Sequence, residues 1–140
     1  MMLIDNQNIL KEVYPYFWSK IKELEGCLDE SLVQTEDSKQ GNATLYITRD
    51  GKKQYLHSKY NPIREAEVIV DSYDNIDEGT TVIFYGTGLG YHIDYFLKKY
   101  PNVDYYIFEP IPEIIYKYLS FKSIKSLSSF NLRDIALGND

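Results

Sequence analysis

Three glycines at alternate positions, Gly86, Gly88 and Gly90, follow the apolar run Thr81–Tyr85 without a break. An acid, Glu109, ends the next apolar run, nineteen residues after Gly90. A glycine loop between a strand and a helix lets the chain turn tightly and lets a ligand approach the backbone with no Cβ in the way. The helix start then offers free N–H donors and a partial positive charge to a phosphate. An acid at the tip of the following strand can accept hydrogen bonds from ribose hydroxyls. The competing reading is that the glycines serve only a tight crossover and Glu109 pairs with a nearby lysine.

More chemistry converges on the same place. A helix running from Asn61 to Tyr73 and joined to Thr81 by a short loop should pack antiparallel to the strand that follows. Its N-terminus then lies beside the glycine loop, bringing His57, Ser58, Lys59 and Arg64 to the rim of one cleft. Lys59 and Arg64 would suit a phosphate or carboxylate there. The alternatives are that Arg64 pairs with Glu67 or Glu109 and that Lys59 is solvated. His92, in the first turn of the next helix, could face a ligand or simply be packed and hydrogen-bonded. No catalytic set emerges: Ser58 lacks a recognisable base and oxyanion arrangement, and nothing pairs the carboxylates.

The elements that must position these residues can be read from periodicity. Leu10, Val13, Phe17, Ile21 and Leu24 form one apolar stripe over roughly Asn6 to Gly26. Pro15 either kinks that helix or starts a second one. Val33 and Thr35 suggest a strand over Ser31–Asp37. The alternating segment Ala43–Thr48 and its partner Lys53–His57 flank Asp50-Gly51, a hairpin turn. Asn61 caps a helix with Pro62 at its first position, and Ile63, Ala66, Ile69, Val70 and Tyr73 make an inward stripe.

The continuous apolar run Thr81–Tyr85 reads as a central parallel strand covered on both faces. A helix over about Tyr91–Tyr100 follows, then the strand Val103–Phe108, then a helix over Pro112–Leu119. The tail from Ser120 is rich in serine and lysine, and only Leu132–Leu137 could add a third parallel strand. There are no internal repeats. The fold expected is α/β: a partial Rossmann-like parallel sheet of two to three strands with flanking helices. An N-terminal helical segment (1–30) and an antiparallel β-meander (31–60) precede the Rossmann-like part (61–140). A complete doubly wound domain needs about five or six strands. The chain is therefore expected to be a single domain or N-terminal fragment whose polypeptide continues beyond Asp140.

Composition narrows the function classes. The 140 residues are 44% hydrophobic and 26% charged, one domain's worth. A net charge of -6 argues against a broad nucleic-acid face. No apolar run approaches the ~20 residues that span a bilayer, and Met1–Lys11 lacks the order of a signal peptide. The single cysteine, Cys27, excludes an intrachain disulfide and a cysteine-cluster metal site, so no metal is expected. A lone thiol fits a reduced cytoplasm. Fourteen tyrosines, spread over all elements, read as boundary residues with a wet hydroxyl.

The string Tyr55-Leu56-His57-Ser58-Lys59-Tyr60-Asn61-Pro62-Ile63-Arg64-Glu65-Ala66-Glu67 is more specific than the glycine loop. With Gly86-Thr87-Gly88-Leu89-Gly90-Tyr91-His92 and Phe108-Glu109-Pro110, it resembles the N-terminal region of the motility accessory factor (Maf) family. The likeness runs from about Val33 to Leu119. It implies a cytoplasmic protein tied to flagellin glycosylation, of a family thought to transfer nonulosonic acids to serine or threonine. The family's transferase site is attributed to a following Rossmann-like domain, so the resemblance implies an accessory domain without a complete active site.

Its candidate ligand-binding positions are His57, Lys59, Arg64, Gly86, Gly88, Gly90 and Glu109. The ligand would be a nucleotide-sugar of the CMP-nonulosonic acid type, and the partners the rest of the polypeptide and flagellin. Two other readings stand beside it. An S-adenosylmethionine-binding methyltransferase fragment suits the glycine loop and Glu109, though not the meander. A non-catalytic interaction module would have the cleft filled by side chains, Tyr91 among them.

Overall fold

The computed structural model describes residues 1–77, 79–129 and 131–138. Helices α1 (Ile4–Val13) and α2 (Pro15–Leu24) open the chain. Pro15 starts α2 at its first turn, where its missing N–H costs nothing, so the apolar stripe is split between two helices. Leu10, Phe17 and Ile21 enter the core. Val13 is left exposed because the break before Pro15 restarts the helical phase.

Asn6, in α1, is fully buried and holds the far end of the chain. Its Nδ2 donates to the carbonyls of Leu119 (2.8 Å) and Lys122 (2.6 Å), and its Oδ1 accepts from Ile124 N–H at 2.8 Å. Asn6→Ala orphans a buried amide and should lower stability by about 2 kcal/mol in urea unfolding. An unchanged midpoint would show that α1 is not anchored there.

Strands β1 (Val33–Asp37), β2 (Ala43–Arg49) and β3 (Lys52–Tyr55) form an antiparallel sheet in that order. Asp50 and Gly51 both take positive φ (53° and 73°), the geometry that matches a tight hairpin to the twist of its strands. Val33, Leu45 and Ile47 point from this meander into a small second core, which they share with Leu89 and Ile114. Leu89 is the residue between Gly88 and Gly90, so the meander packs directly on the glycine loop.

The second sheet is parallel, with strands β4 (Thr81–Tyr85), β5 (Asp104–Glu109) and β6 (Leu132–Leu137) in sequence order. Helix α3 (Pro62–Asp71) precedes β4; α4 (Tyr91–Lys99) joins β4 to β5; α5 (Pro112–Phe121) and the short α6 (Lys125–Ser129) join β5 to β6. The third strand forms, and α6 appears in the serine- and lysine-rich tail where no helix was expected. Ile93, Phe96, Leu97, Tyr105, Ile107, Ile115 and Leu119 fill the main core on the face carrying α4 and α5.

Two expectations are corrected. β4 is an edge strand, paired only with β5 among the described residues. Phe84 faces the core, while Ile83 and Tyr85 are 66% and 73% exposed on the opposite face. A continuous apolar run marks high hydrophobicity, not how many neighbours arrive to cover it. Helix α3 correspondingly buries only Pro62, Ala66 and Val70, packing on α4. Ile63, Ile69 and Tyr73, read as inward, stay exposed because no further layer lies beyond them among the described residues.

Candidate glycine-loop site

The loop after β4 is held by its own protein. Gly86 N–H donates to Phe108 O at 2.7 Å, continuing the sheet by one rung. Glu109 is buried and uses both carboxylate oxygens. Oε1 accepts from Thr87 N–H (2.9 Å) and Thr87 Oγ1 (3.3 Å), and Oε2 accepts from Ile111 N–H at 3.1 Å. The acid that could have met a ribose instead ties the glycine loop to the turn after β5.

His57 closes the loop from the other side. Its Nε2 accepts from Leu89 N–H at 2.8 Å, so the neutral ring carries its proton on Nδ1. Gly88 has φ 52°, and a Cβ built there would collide with His57 Nε2 and Cε1. Gly90 has φ 82°, and a Cβ there would strike the ring of buried Tyr118. The close approach these glycines permit is therefore that of two side chains of the same chain. Tyr91 adds a clasp: its ring stands edge-on to His57 at 5.1 Å, and its hydroxyl donates to Ala43 O at 2.5 Å.

Electrostatics follow from the burial. The His57 imidazole is held down at about 4, first because burial penalises the cation and then because His92 is close. Burial also lowers His92, partly offset by its 3.1 Å hydrogen bond to Gly86 O. An unfolded histidine titrates near 6.5, so on acidification the unfolded chain takes up a proton that native His57 refuses. Its stabilisation is whole above about pH 6.5 and falls towards pH 4 at ~1.4 kcal/mol per unit. Urea unfolding at pH 7.5 and pH 5 should differ by about 2 kcal/mol from this group alone, and His57→Gln should flatten the slope. An equal slope in that variant would refute the assignment.

The remaining sequence candidates lie elsewhere. Lys59 sits over the Tyr55 ring at 5.4 Å, and its carbonyl accepts from Lys39 N–H at 3.0 Å. Arg64 is exposed; its backbone N–H is capped by Asn61 Oδ1 at 3.0 Å, and its charge adds slightly to the Lys99 and Tyr95 hydrogen bonds that lower the Asp71 carboxyl. Ser58 Oγ accepts from Tyr60 and Asn61 N–H, while Ser58 N–H donates to Glu65 Oε1 at 2.9 Å. The His-Ser-Lys-Tyr-Asn-Pro block is thus a chain knot that starts α3 and aims His57 at the loop. Thr87, Tyr118 and Ile111 complete the joint. Sequence reasoning passed over them because a loop threonine, a helix tyrosine and a backbone amide carry no motif.

Beside this joint lies a cleft of about 400 Å³, lined by His57, His92, Glu65, Glu109, Gly86 and Gly88 together with apolar Leu56, Ile69, Tyr85 and Ile114. Neither Lys59 nor Arg64 lines it. Its ionisable walls are two carboxylates and two histidines kept from charging. Among the described residues no three His, Cys, Asp or Glu side chains are placed to hold a metal ion, and no helix is long and apolar enough to cross a membrane.

These features define a mixed α/β chain in which an antiparallel meander is clasped to a parallel sheet through its glycine loop. No protein-family model matches the chain, and no curated protein matches it in sequence. Among solved structures it is similar in fold to the MAf glycosyltransferase from Magnetospirillum magneticum AMB-1, with a TM-score of 0.64 at 13% identity. The match covers 96% of this chain and 27% of that one, so the chain spans about a quarter of that protein's length.

Proposed function

We propose that this chain is an accessory domain of a cytoplasmic Maf-like flagellin glycosyltransferase, working as a docking unit for the rest of its polypeptide and carrying no nucleotide on its glycine loop. The observation that carries this reading is the hydrogen bond from Leu89 N–H to His57 Nε2. It joins two of the three strings on which the family resemblance rests, and it fills with protein the place a phosphate would take. The fold likeness to a Maf glycosyltransferase supports the family side of the reading.

The electrostatics support the docking side. A pyrophosphate in the adjoining cleft would meet Glu65 and Glu109 and no lysine or arginine, and an anion is disfavoured beside like charge. A methyltransferase-type ligand would need Glu109 for its ribose, and that carboxylate is already spent on Thr87 and Ile111. In the accessory reading Gly86, Gly88, Gly90, Glu109 and His57 hold the two sheets together, and Lys59 and Arg64 serve the surface.

The size of the cleft, about 400 Å³, favours one second reading: a nucleotide-sugar-like ligand bound through its sugar there. One titration separates them. Isotope-labelled protein is mixed with millimolar CMP, a CMP-nonulosonic acid and S-adenosylhomocysteine. The Thr87, Leu89 and His92 amide signals are expected to stay in place. A saturable shift of Thr87 or Leu89 with a CMP compound would restore the nucleotide site, and one with S-adenosylhomocysteine the methyltransferase reading.

A further inference from the structure

Sheets end in unpaired N–H and C=O groups, and proteins guard such edges with charge, proline, bulges or a covering element. Among the described residues, three of the four edge strands follow that rule. β1 carries Glu36 and Asp37, β3 carries Lys52 and Lys53, and β6 carries Arg133 and Asp134 with α2 packed against it. The fourth, β4, reads Thr-Val-Ile-Phe-Tyr: no charge, no proline, and a register with β5 that runs without a bulge.

A groove of about 530 Å³ runs along this bare edge. All of Thr80–Tyr85 line it, together with Ile69 of α3, Tyr73 just beyond the end of α3, and Phe96 of α4. No Lys, Arg, Asp or Glu lines it, in a protein of net charge -6. Ile69, Tyr73, Ile83 and Tyr85 are each at least half exposed. Together they offer on the order of 500 Å² of mostly apolar surface, the size range of an interaction patch.

We propose that the edge of β4 docks an extended, uncharged segment of the partner domain, which adds to the parallel sheet as a fourth strand with alternate side chains in the groove beside α3. A strand edge next to a helix wall is the geometry of β-strand addition: main-chain hydrogen bonds supply affinity and the groove reads alternate side chains. Five residues of β4 give about 17 Å of ladder. The groove's lack of charge selects an uncharged strand, because a carboxylate or ammonium there would lose water and gain no partner. The identity of the partner rests on the proposed function; the chemistry of the occupant does not.

The test uses the 140-residue chain and a synthetic peptide, acetyl-Gly-Ser-Thr-Val-Val-Ile-Tyr-Ser-Gly-amide, with a control N-methylated at alternate core residues. Hydrogen exchange of Thr81–Tyr85 is expected to slow at least fivefold with the peptide and to stay unchanged with the control. Tyr73→Glu, at an exposed lining position, should weaken peptide binding at least tenfold while leaving the melting temperature in place. Absence of binding at millimolar peptide, or binding that leaves β4 exchange untouched, would overturn the proposal. So would a sedimenting dimer whose β4 is protected without peptide, since the occupant would then be a second copy. A CMP compound that shifts Thr87 while the peptide still protects β4 would remove the accessory-domain reading and leave the docking edge standing.

Discussion

Gly88→Ala is expected to lower the stability of the protein by about 3 kcal/mol, a large share of the 5–15 kcal/mol of a typical domain. Two costs combine. Gly88 sits at φ 52°, where an L-residue pays roughly 1–2 kcal/mol. The new Cβ also displaces His57, and Leu89 N–H is then left buried without an acceptor, worth about 1–3 kcal/mol.

A control separates the two costs. Gly41 has φ 94° with open space around it, so Gly41→Ala should show the backbone cost alone. In a His57→Ala background the Gly88 substitution should likewise fall to the Gly41 value, because the collision partner is gone and the two effects are not additive. Equal costs in both backgrounds would show that the loop does not depend on the imidazole.

The second large effect is at Glu109. Glu109→Ala removes a buried carboxylate that accepts from Thr87 N–H, Thr87 Oγ1 and Ile111 N–H, and leaves the buried Thr87 amide and the half-buried Ile111 amide unpaired. Hydrogen bonds to a charged acceptor are worth about 1.5–3 kcal/mol each, so a loss of about 4 kcal/mol is expected in urea unfolding. Glu109→Gln keeps one acceptor oxygen but turns an NH₂ towards a backbone donor, and should lose about half as much. A ribose-binding acid would behave differently: its removal would weaken a ligand and leave the midpoint almost unmoved. The unfolding experiment therefore also distinguishes a joint from a nucleotide site.

Both predictions concern residues that a motif search would mark as ligand-binding, and the reason lies in what a motif encodes. Gly-x-Gly-x-Gly after a strand states that something comes close to the backbone. It does not state whether that is a phosphate or a neighbouring side chain. His57 and Gly88 are thirty-one positions apart, and only the folding of the meander onto the loop brings them into contact. The family-like block contained the plug for the loop: the crossover rule put both strings at one cleft, but nothing local said that His57 would take the Leu89 amide itself.

Much of the chain was legible without coordinates. The Asp50-Gly51 hairpin, the Asn61 cap with Pro62 behind it, the strand–glycine loop–helix–strand order and the strand at Leu132–Leu137 all follow from local rules. Turns need particular φ values, caps need particular side chains, and strands and helices have fixed periods. Pro15 left two outcomes open and the local chemistry could not choose. The second helix forms because its first turn tolerates the missing N–H while Phe17 and Ile21 reach the core.

What the sequence by itself determined is the set of elements, their order and the residues that could border a cleft, because those depend on neighbours within a few positions. Only the tertiary structure decided that β4 is an edge, that Ile69 and Tyr73 look outward, that Lys59 and Arg64 stand away from the cleft, and that His57 and Glu109 occupy the loop amides. Each of those depends on which distant surface arrives first at a given atom. A buried donor takes the nearest acceptor that can be held there, and here the protein supplies it from its own chain.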